Sequence, residues 1–559
     1  MNSKDQYEVT PLSTYDEREF DMQIRMLPMR DGKKLYTAVF LPKGVSKPVG
    51  TILFRSPYFR RESLAGPSTF ALRHGLAAVY QHCRGTAASE GEFFPTRRQF
   101  EEHDGEDTLN WILQQPWSNG RVALIGSSYS GLTQWAAAYS GSSAIVALRP
   151  HVAAVHSCNS IAITGGGSKH GFMVCWGLSM FHRNKFGYND VPDFDADLFH
   201  LPVNETDLHY NYGVVEFFRD FIRSAQTPST MRQGLRERFS NVKAPAFISG
   251  GWYDAFKQEN ILSFNLMKEI AASDKARRYT RMFFGPWVHG GLINKEEFGE
   301  ENDQKELVKL QDQFILNALN DPDSDPLPGF PQVTFFLLGE KRWCHSETWP
   351  PQNKEKKYFL RKERSLAGTP EEEKESISSY TYDPADPTPS FNGKRHSLGY
   401  YDRRETEKRS DIICFTSENL DTPLTIAGNV KLRLFARSSA PDTDFYATLS
   451  DVYPDGRSMF LVTGMVRARF SKSLEREEFL SPGEIREYEI NLGDIANTFL
   501  PGHALRLAIH SANFPSHSRN LNTKAPVNEG VFMESAFQEI FHDAEHHSCL
   551  ILPESTEKF

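Results

Sequence analysis

The sequence predicts an α/β fold with a mostly parallel, doubly wound sheet, a helical insertion and a C-terminal all-β region. Three observations carry that expectation. Between residues 50 and 131, apolar strand-like runs alternate with helical patterning, the arrangement that builds parallel sheets from βαβ units. Residues 151–240 show helical spacing and no evident buried strand. Beyond the turn-rich run Asp321-Pro-Asp-Ser-Asp-Pro-Leu-Pro328, helical patterning all but vanishes and short strand-like runs recur, as in a β-sandwich.

Each element has its own signal. Residues 22–41 alternate around Arg30-Asp31-Gly32-Lys33, an antiparallel hairpin with its turn at Asp-Gly. Residues 50–55 (Gly-Thr-Ile-Leu-Phe-Arg) form a strand ending in Ser56-Pro57-Tyr58, and residues 75–82 form another. Helical spacing marks residues 101–115. Residues 122–125 are a continuous apolar run, followed by Gly126, Ser128 and Gly131 and then an alanine-rich helix over 132–139. Residues 151–240 contain three consecutive glycines at 165–167, several aromatics and two helices. The sheet resumes at 244–250 and 281–285, and a polar helix covers 297–319. Further strands fall at 333–338, 430–435, 445–452, 459–467, 487–490 and 504–510. The domain bounds that follow are 1–149 and 241–345 for the α/β part, 150–240 for the insertion and 346–559 for the sandwich.

Composition narrows the function classes. The chain has 559 residues, too many for one hydrophobic core. A net charge of −9 offers no basic surface, which argues against nucleic acid as a partner. No 18-residue apolar run is present, and the N-terminal residues lack a signal peptide's apolar region, so neither a membrane nor secretion is expected. The six cysteines are scattered without Cys-x-x-Cys spacing, as in a cytoplasmic protein with reduced thiols. The histidines show no metal-ligand spacing, so no metal and no cofactor is expected. A homodimer is compatible with all of this.

The stretch 121–139 is the centre of the chemistry. Strand, tight turn and helix is the setting of a nucleophile elbow, in which a serine is held in strained backbone geometry and the residue two before it is small. Serines stand at 127, 128 and 130, and only Ser128 has a glycine two places earlier, at Gly126. Gly131 comes one place later than in Gly-x-Ser-x-Gly; an ordinary βα turn is the plainer reading of such a stretch. A serine hydroxyl needs a base, and the base needs an orienting carboxylate. In an α/β-hydrolase fold these follow in the chain order Ser, Asp, His, each after a sheet strand. The two strands beyond the insertion run into Gly251-Trp-Tyr-Asp254 and Gly285-Pro-Trp-Val-His289. Asp254 then orients His289, the general base. Negative charge developing on the attacked carbonyl requires donors already in place. The Tyr129 amide is one, and the hydroxyl of Tyr58, after an early strand, is the second.

These residues resemble the CocE/NonD hydrolases, a group containing cocaine esterase, X-Pro dipeptidyl-peptidases and α-amino acid ester hydrolases. The matching motifs are Arg84-Gly-Thr-Ala-Ala-Ser-Glu-Gly-Glu-Phe93, Asp107-Thr-Leu-Asn-Trp-Ile112, 126–131 and the segments ending at Asp254 and His289. The likeness continues through Tyr382-Asp-Pro-Ala-Asp-Pro387, Asp442-Thr-Asp-Phe445, Asp455-Gly-Arg457, Leu500-Pro-Gly-His503 and Phe514-Pro-Ser-His-Ser-Arg-Asn520. The resemblance implies an α/β-hydrolase domain with a helical cap and a C-terminal jelly roll, and a Ser128–Asp254–His289 triad. It implies an oxyanion hole of the Tyr58 hydroxyl and the Tyr129 amide, and an acyl pocket lined by Trp176 and Phe256. Around Ile163-Thr-Gly165 the chain lacks a tryptophan that the esterase branch suggests. The resulting expectation is a serine hydrolase of small carboxylic esters or amides. The alternatives are a peptidase or amino-acid ester hydrolase, and a carbohydrate-binding jelly-roll protein.

Overall fold

The computed structural model describes residues 20–44, 47–58, 65–156, 162–228, 234–391 and 399–559. They group into two compact units, residues 1–160 with 232–334, and residues 161–231 with 335–559.

The first unit is a twisted sheet with helices packed on it. Strands β1 (Phe20–Pro28) and β2 (Lys34–Pro42) form the antiparallel hairpin, with Gly32 in its turn at φ 82°. Then follow β3 (Val49–Ser56), helix α1 (Ala65–Arg73), β4 (Ala77–His82), α2 (Arg98–Leu113), β5 (Ser118–Ser127), α3 (Tyr129–Ala138) and β6 (Ile145–His151). After the excursion through the other unit come β7 (Phe247–Gly251), α4 (Lys257–Ile270), β8 (Arg281–Gly285) and α5 (Lys305–Asn320). Within this unit these strands lie in the order β1-β2-β4-β3-β5-β6-β7-β8, and every neighbour from β4 to β8 pairs in parallel. Parallel strands are covered on both faces, so they read as continuous apolar runs; Ile52, Val79, Val122, Leu148 and Ile248 are fully buried.

Three differences from the sequence reading have physical causes. Strand β6 crosses the expected boundary at 150, because Pro150 sits near the strand's end and its chain continues in register to His151. Helix α4 goes unseen in the sequence because its face toward the sheet mixes Glu259, Asn260 and Ser263 with Ile261 and Phe264, all buried. The polar helix expected at 297–319 is broken at Gly299, which takes φ 82°, into short turns and α5.

The second unit is mostly β. Its large sheet includes Leu424–Ser438, Asp444–Val452, Ser458–Arg467, Arg486–Phe499 and Ala504–His510. Residues 162–228 add helices at Gly177–Phe186 and Glu216–Arg223 and a π-helical turn at Phe172–Trp176. Backbone hydrogen bonds tie this segment to the β region. Arg467 N–H donates to Gly165 O (2.8 Å), Gly171 N–H to Pro515 O (2.9 Å) and Ser518 N–H to Ser168 O (2.8 Å). Such bonds explain why the helical segment groups with the C-terminal strands rather than with the sheet it interrupts.

Candidate active site

Ser128 stands between β5 and α3 with φ 58° and ψ −125°. A non-glycine residue in that region carries roughly 1–3 kcal/mol of backbone strain, a cost the surroundings must offset. The turn is held on both sides. Ser128 N–H donates to His151 O (3.0 Å), and Ser128 O accepts from Gly131 N–H (2.9 Å) and Leu132 N–H (3.1 Å). Gly126 takes φ 149°, and a Cβ there would lie 2.6 Å from Ser130 O; a Cβ on Gly131 would lie 2.5 Å from the Ala153 Cβ. The glycine displaced from the usual motif position is therefore required by close approach of β6's continuation. Ser130 is buried inside α3, whereas Ser128 is part-exposed.

Asp254 and His289 follow β7 and β8, which pair in parallel with Gly251 level with Gly285. The structure brings them together: His289 Nδ1 and Asp254 Oδ2 are 2.7 Å apart. The other carboxylate oxygen, Oδ1, accepts from Phe256 N–H at 2.7 Å, and Asp254 is buried. Phe256 stacks on the imidazole, with centroids 5.1 Å apart and planes at 25°. Desolvation works against the imidazolium, but the Asp254 charge and hydrogen bond outweigh it and hold the His289 pKa above the ordinary histidine value. A hydrogen-bonded carboxylate on Nδ1 leaves Nε2 as the atom that can take a proton.

Tyr129 opens α3, where first-turn amides have no acceptor within the helix. Its hydroxyl donates to Glu101 Oε1 (3.0 Å) and its ring packs on Phe93. Behind it lies a buried ionic cluster. Arg55 Nη2 reaches Glu101 Oε2 (3.0 Å), and Arg84 pairs with Asp104 (2.6 Å) and Asp31 (2.6 Å). This is what the motif beginning at Arg84 does: its guanidinium closes the cluster that braces the residue after Ser128. Tyr58 follows β3; its N–H donates to Ser56 Oγ (3.2 Å), and its carbonyl accepts from the Tyr80 hydroxyl (3.2 Å). Trp176 belongs to the second unit, where it stacks on Phe172 with centroids 5.4 Å apart and planes at 17°, against Phe221.

Sequence reasoning missed a polar chain that begins at β6. His151 Nδ1 lies 2.8 Å from Ser249 Oγ, and Gln311 Nε2 donates to the same oxygen at 2.8 Å. The apolar run Ile145–Leu148 was the available signal for the strand that ends at His151. Among the described residues, no group of three or more His, Cys, Asp or Glu side chains is arranged to hold a metal. Among the described residues, no helix is long and apolar enough to cross a membrane.

Family models match the chain in two blocks. Residues 31–291 match the X-Pro dipeptidyl-peptidase (S15 family) model, and residues 328–551 match the X-Pro dipeptidyl-peptidase C-terminal non-catalytic domain. Cocaine esterase of Rhodococcus sp. (strain MB1 Bresler) is 32% identical over 94% of this chain and 97% of its own. The chain belongs to the CocE/NonD family of serine hydrolases. Two solved structures share the fold. An aminopeptidase from a marine sediment Thaumarchaeota archaeon has a TM-score of 0.82 at 23% identity, covering 96% of this chain and 97% of that one. An α-amino acid ester hydrolase has a TM-score of 0.81 at 22% identity, covering 99% and 100%. This CocE/NonD hydrolase thus joins an α/β-hydrolase unit to a mostly β C-terminal region.

Proposed function

We propose that this CocE/NonD hydrolase cleaves small carboxylic esters through an acyl-enzyme formed on Ser128. Ser128 Oγ attacks the carbonyl while His289 Nε2 takes its proton, and His289 then returns the proton to the leaving alcohol. Asp254 holds the imidazole in the tautomer that leaves Nε2 free. The Tyr129 amide and the Tyr58 hydroxyl stabilise the oxyanion. Water repeats the sequence to release the acid. The observation that carries this reading is the 2.7 Å Asp254–His289 contact after adjacent strands, in a unit that also holds a strained Ser128 at a strand–helix turn.

Phe256 and Trp176 supply apolar surface for the acyl group, the helical segment acts as a cap and the β region as a jelly roll. The described cysteines are thiols rather than disulfides, which fits a cytoplasmic setting. A fluorophosphonate should label one peptide, at Ser128, and Ser128→Ala should lose both label and turnover. Label on Ser130, or wild-type activity in Ser128→Ala, would remove the proposal.

A peptidase reading is favoured by one finding, the description of the matching family models. Against it stands the segment after the proposed catalytic acid, Asp254-Ala-Phe-Lys257. It offers an aromatic ring and a cation where a substrate ammonium needs carboxylates.

A further inference from the structure

The end of β6 carries more constraint than a loop anchor needs. His151 O accepts the Ser128 N–H at 3.0 Å, so this one carbonyl sits directly on the strained turn. The next residue, Val152, takes φ 43°. A β-branched side chain at positive φ is a genuine outlier, and such outliers gather where backbone geometry is over-determined. Its N–H donates to Ser249 O at 2.9 Å. Residues 128 and 152 therefore form two left-handed positions at the carboxyl ends of adjacent parallel strands, joined through the His151 carbonyl.

The His151 side chain is tied as firmly as its backbone. Its Nδ1 lies 2.8 Å from Ser249 Oγ, which also accepts from Gln311 Nε2 at 2.8 Å. On the other side, Gln304 Nε2 faces His151 Nε2 at 3.5 Å. The same Gln304 amide borders the turn behind His289. That turn is closed by the Val288 N–H to Gly291 O bond at 3.0 Å, and a Cβ on Gly291 would stand 3.8 Å from the Gln304 amide carbon. His151 thus lies between the serine turn and the histidine turn, with a polar group on each ring nitrogen.

We propose that the His151 side chain is a positioning group: held at both ring nitrogens, it fixes the strand end whose carbonyl anchors the Ser128 turn, beside the Asp254–His289 pair. The proposal rests on the triad reading above. The charged groups around His151 are Asp254, which favours its protonation, and His289 and Arg149, which oppose it; Arg149 is itself paired with Asp312 at 2.6 Å. Burial is the largest influence and lowers the His151 pKa to about 4. The ring therefore stays neutral wherever His289 titrates. Were it charged, it would oppose the imidazolium that forms on His289 when Ser128 attacks.

Three variants test this, with kcat and KM followed from pH 5 to 9 on an aryl acetate and folding checked by thermal melting. His151→Asn keeps a neutral polar group toward Ser249 and should leave the acid limb of kcat/KM in place, with kcat within about threefold. His151→Ala should lower kcat roughly tenfold or more at unchanged KM, the mark of misplaced reacting groups. His151→Lys, where it folds, should move the acid limb down by about one pH unit, because a like charge disfavours the His289 imidazolium. If neither the alanine nor the lysine variant folds, Ser249→Ala keeps His151 but removes its anchor, and it too should lose kcat rather than KM. Folded variants with wild-type kcat and an unmoved limb would overturn the positioning role. Phosphonate labelling of the wild type separates the two failures. If Ser128 is not labelled, the triad reading falls first; if it is labelled while the His151 variants behave as wild type, this inference alone is wrong.

Discussion

Asp254 shows how one side chain sets the chemistry of another. Its Oδ1 is used by the Phe256 N–H and its Oδ2 by His289 Nδ1. Asp254→Asn can keep the first bond while presenting an N–H to Nδ1. The imidazole must then carry its proton on Nε2, where a base must be empty. Turnover should fall by about 10⁴-fold with little change in melting temperature. The sign of the pH dependence follows from the same pair. His289 has its pKa raised, and the protonated ring cannot act as a base. Activity should therefore be lost as pH falls through an inflection above the ordinary histidine value of about 6.5. An inflection below that value would show that the Asp254 contact does not govern the working enzyme. Tyr58→Phe should lower kcat by roughly 10²–10³ if its hydroxyl serves the oxyanion. An effect within about twofold would assign Tyr58 to packing.

At the scale of elements, the β5–α3 turn depends on groups far from the reacting atoms. Helix α2 presents Glu101 and Asp104 inward, and Arg55 from β3 meets them, with its side chain only 1% exposed. Burial pushes the Glu101 carboxyl pKa up, against the Arg55 charge that draws it down. Such a cluster is stable only when complete, because removing one partner strands a buried charge. Arg55→Met should accordingly destabilise the α/β unit by about 3–5 kcal/mol, read as a lowered melting temperature. The Tyr129 hydroxyl bond to Glu101 places this cost beside the amide proposed for the oxyanion. Surviving activity in Arg55→Met should fall more steeply with temperature than in the wild type. A melting curve unchanged from wild type would show that Glu101 is satisfied without Arg55.

For the whole molecule, the question is which esters it accepts. An α-ammonium group in an apolar pocket needs a paired carboxylate. The residues after Asp254 place Phe256 against His289 instead. Neutral aryl and short-chain esters should exceed amino-acid esters and X-Pro anilides by at least tenfold in kcat/KM, about 1.4 kcal/mol of transition-state binding. Equal efficiency on an X-Pro anilide would mean that the substrate ammonium finds a carboxylate outside the segment that follows Asp254.

The sequence by itself determined the strand-like runs that became β3, β5, β7 and β8, the residues that follow them, and the change to β structure after residue 328. Those features are local: apolar period, glycine spacing and turn residues act over a few positions. Asp254 and His289 each stand just after a strand end, so chain order suggested the contact they make, and glycine spacing singled out Ser128, which takes the strained turn after β5. Tertiary structure decided the rest. Gly131's displacement is explained only by Ala153, which β6 brings to within contact of α3. The bracing of Tyr129 depends on Arg55, Arg84, Glu101 and Asp104, residues whose pairing no spacing reveals. His151 is one of 18 histidines and carries no motif; what distinguishes it is a carbonyl on the serine turn and Ser249 and Gln304 at its ring. A hydrogen bond spanning about a hundred residues leaves no periodic trace in the chain, because its energy depends on where two strands end, not on what lies between them.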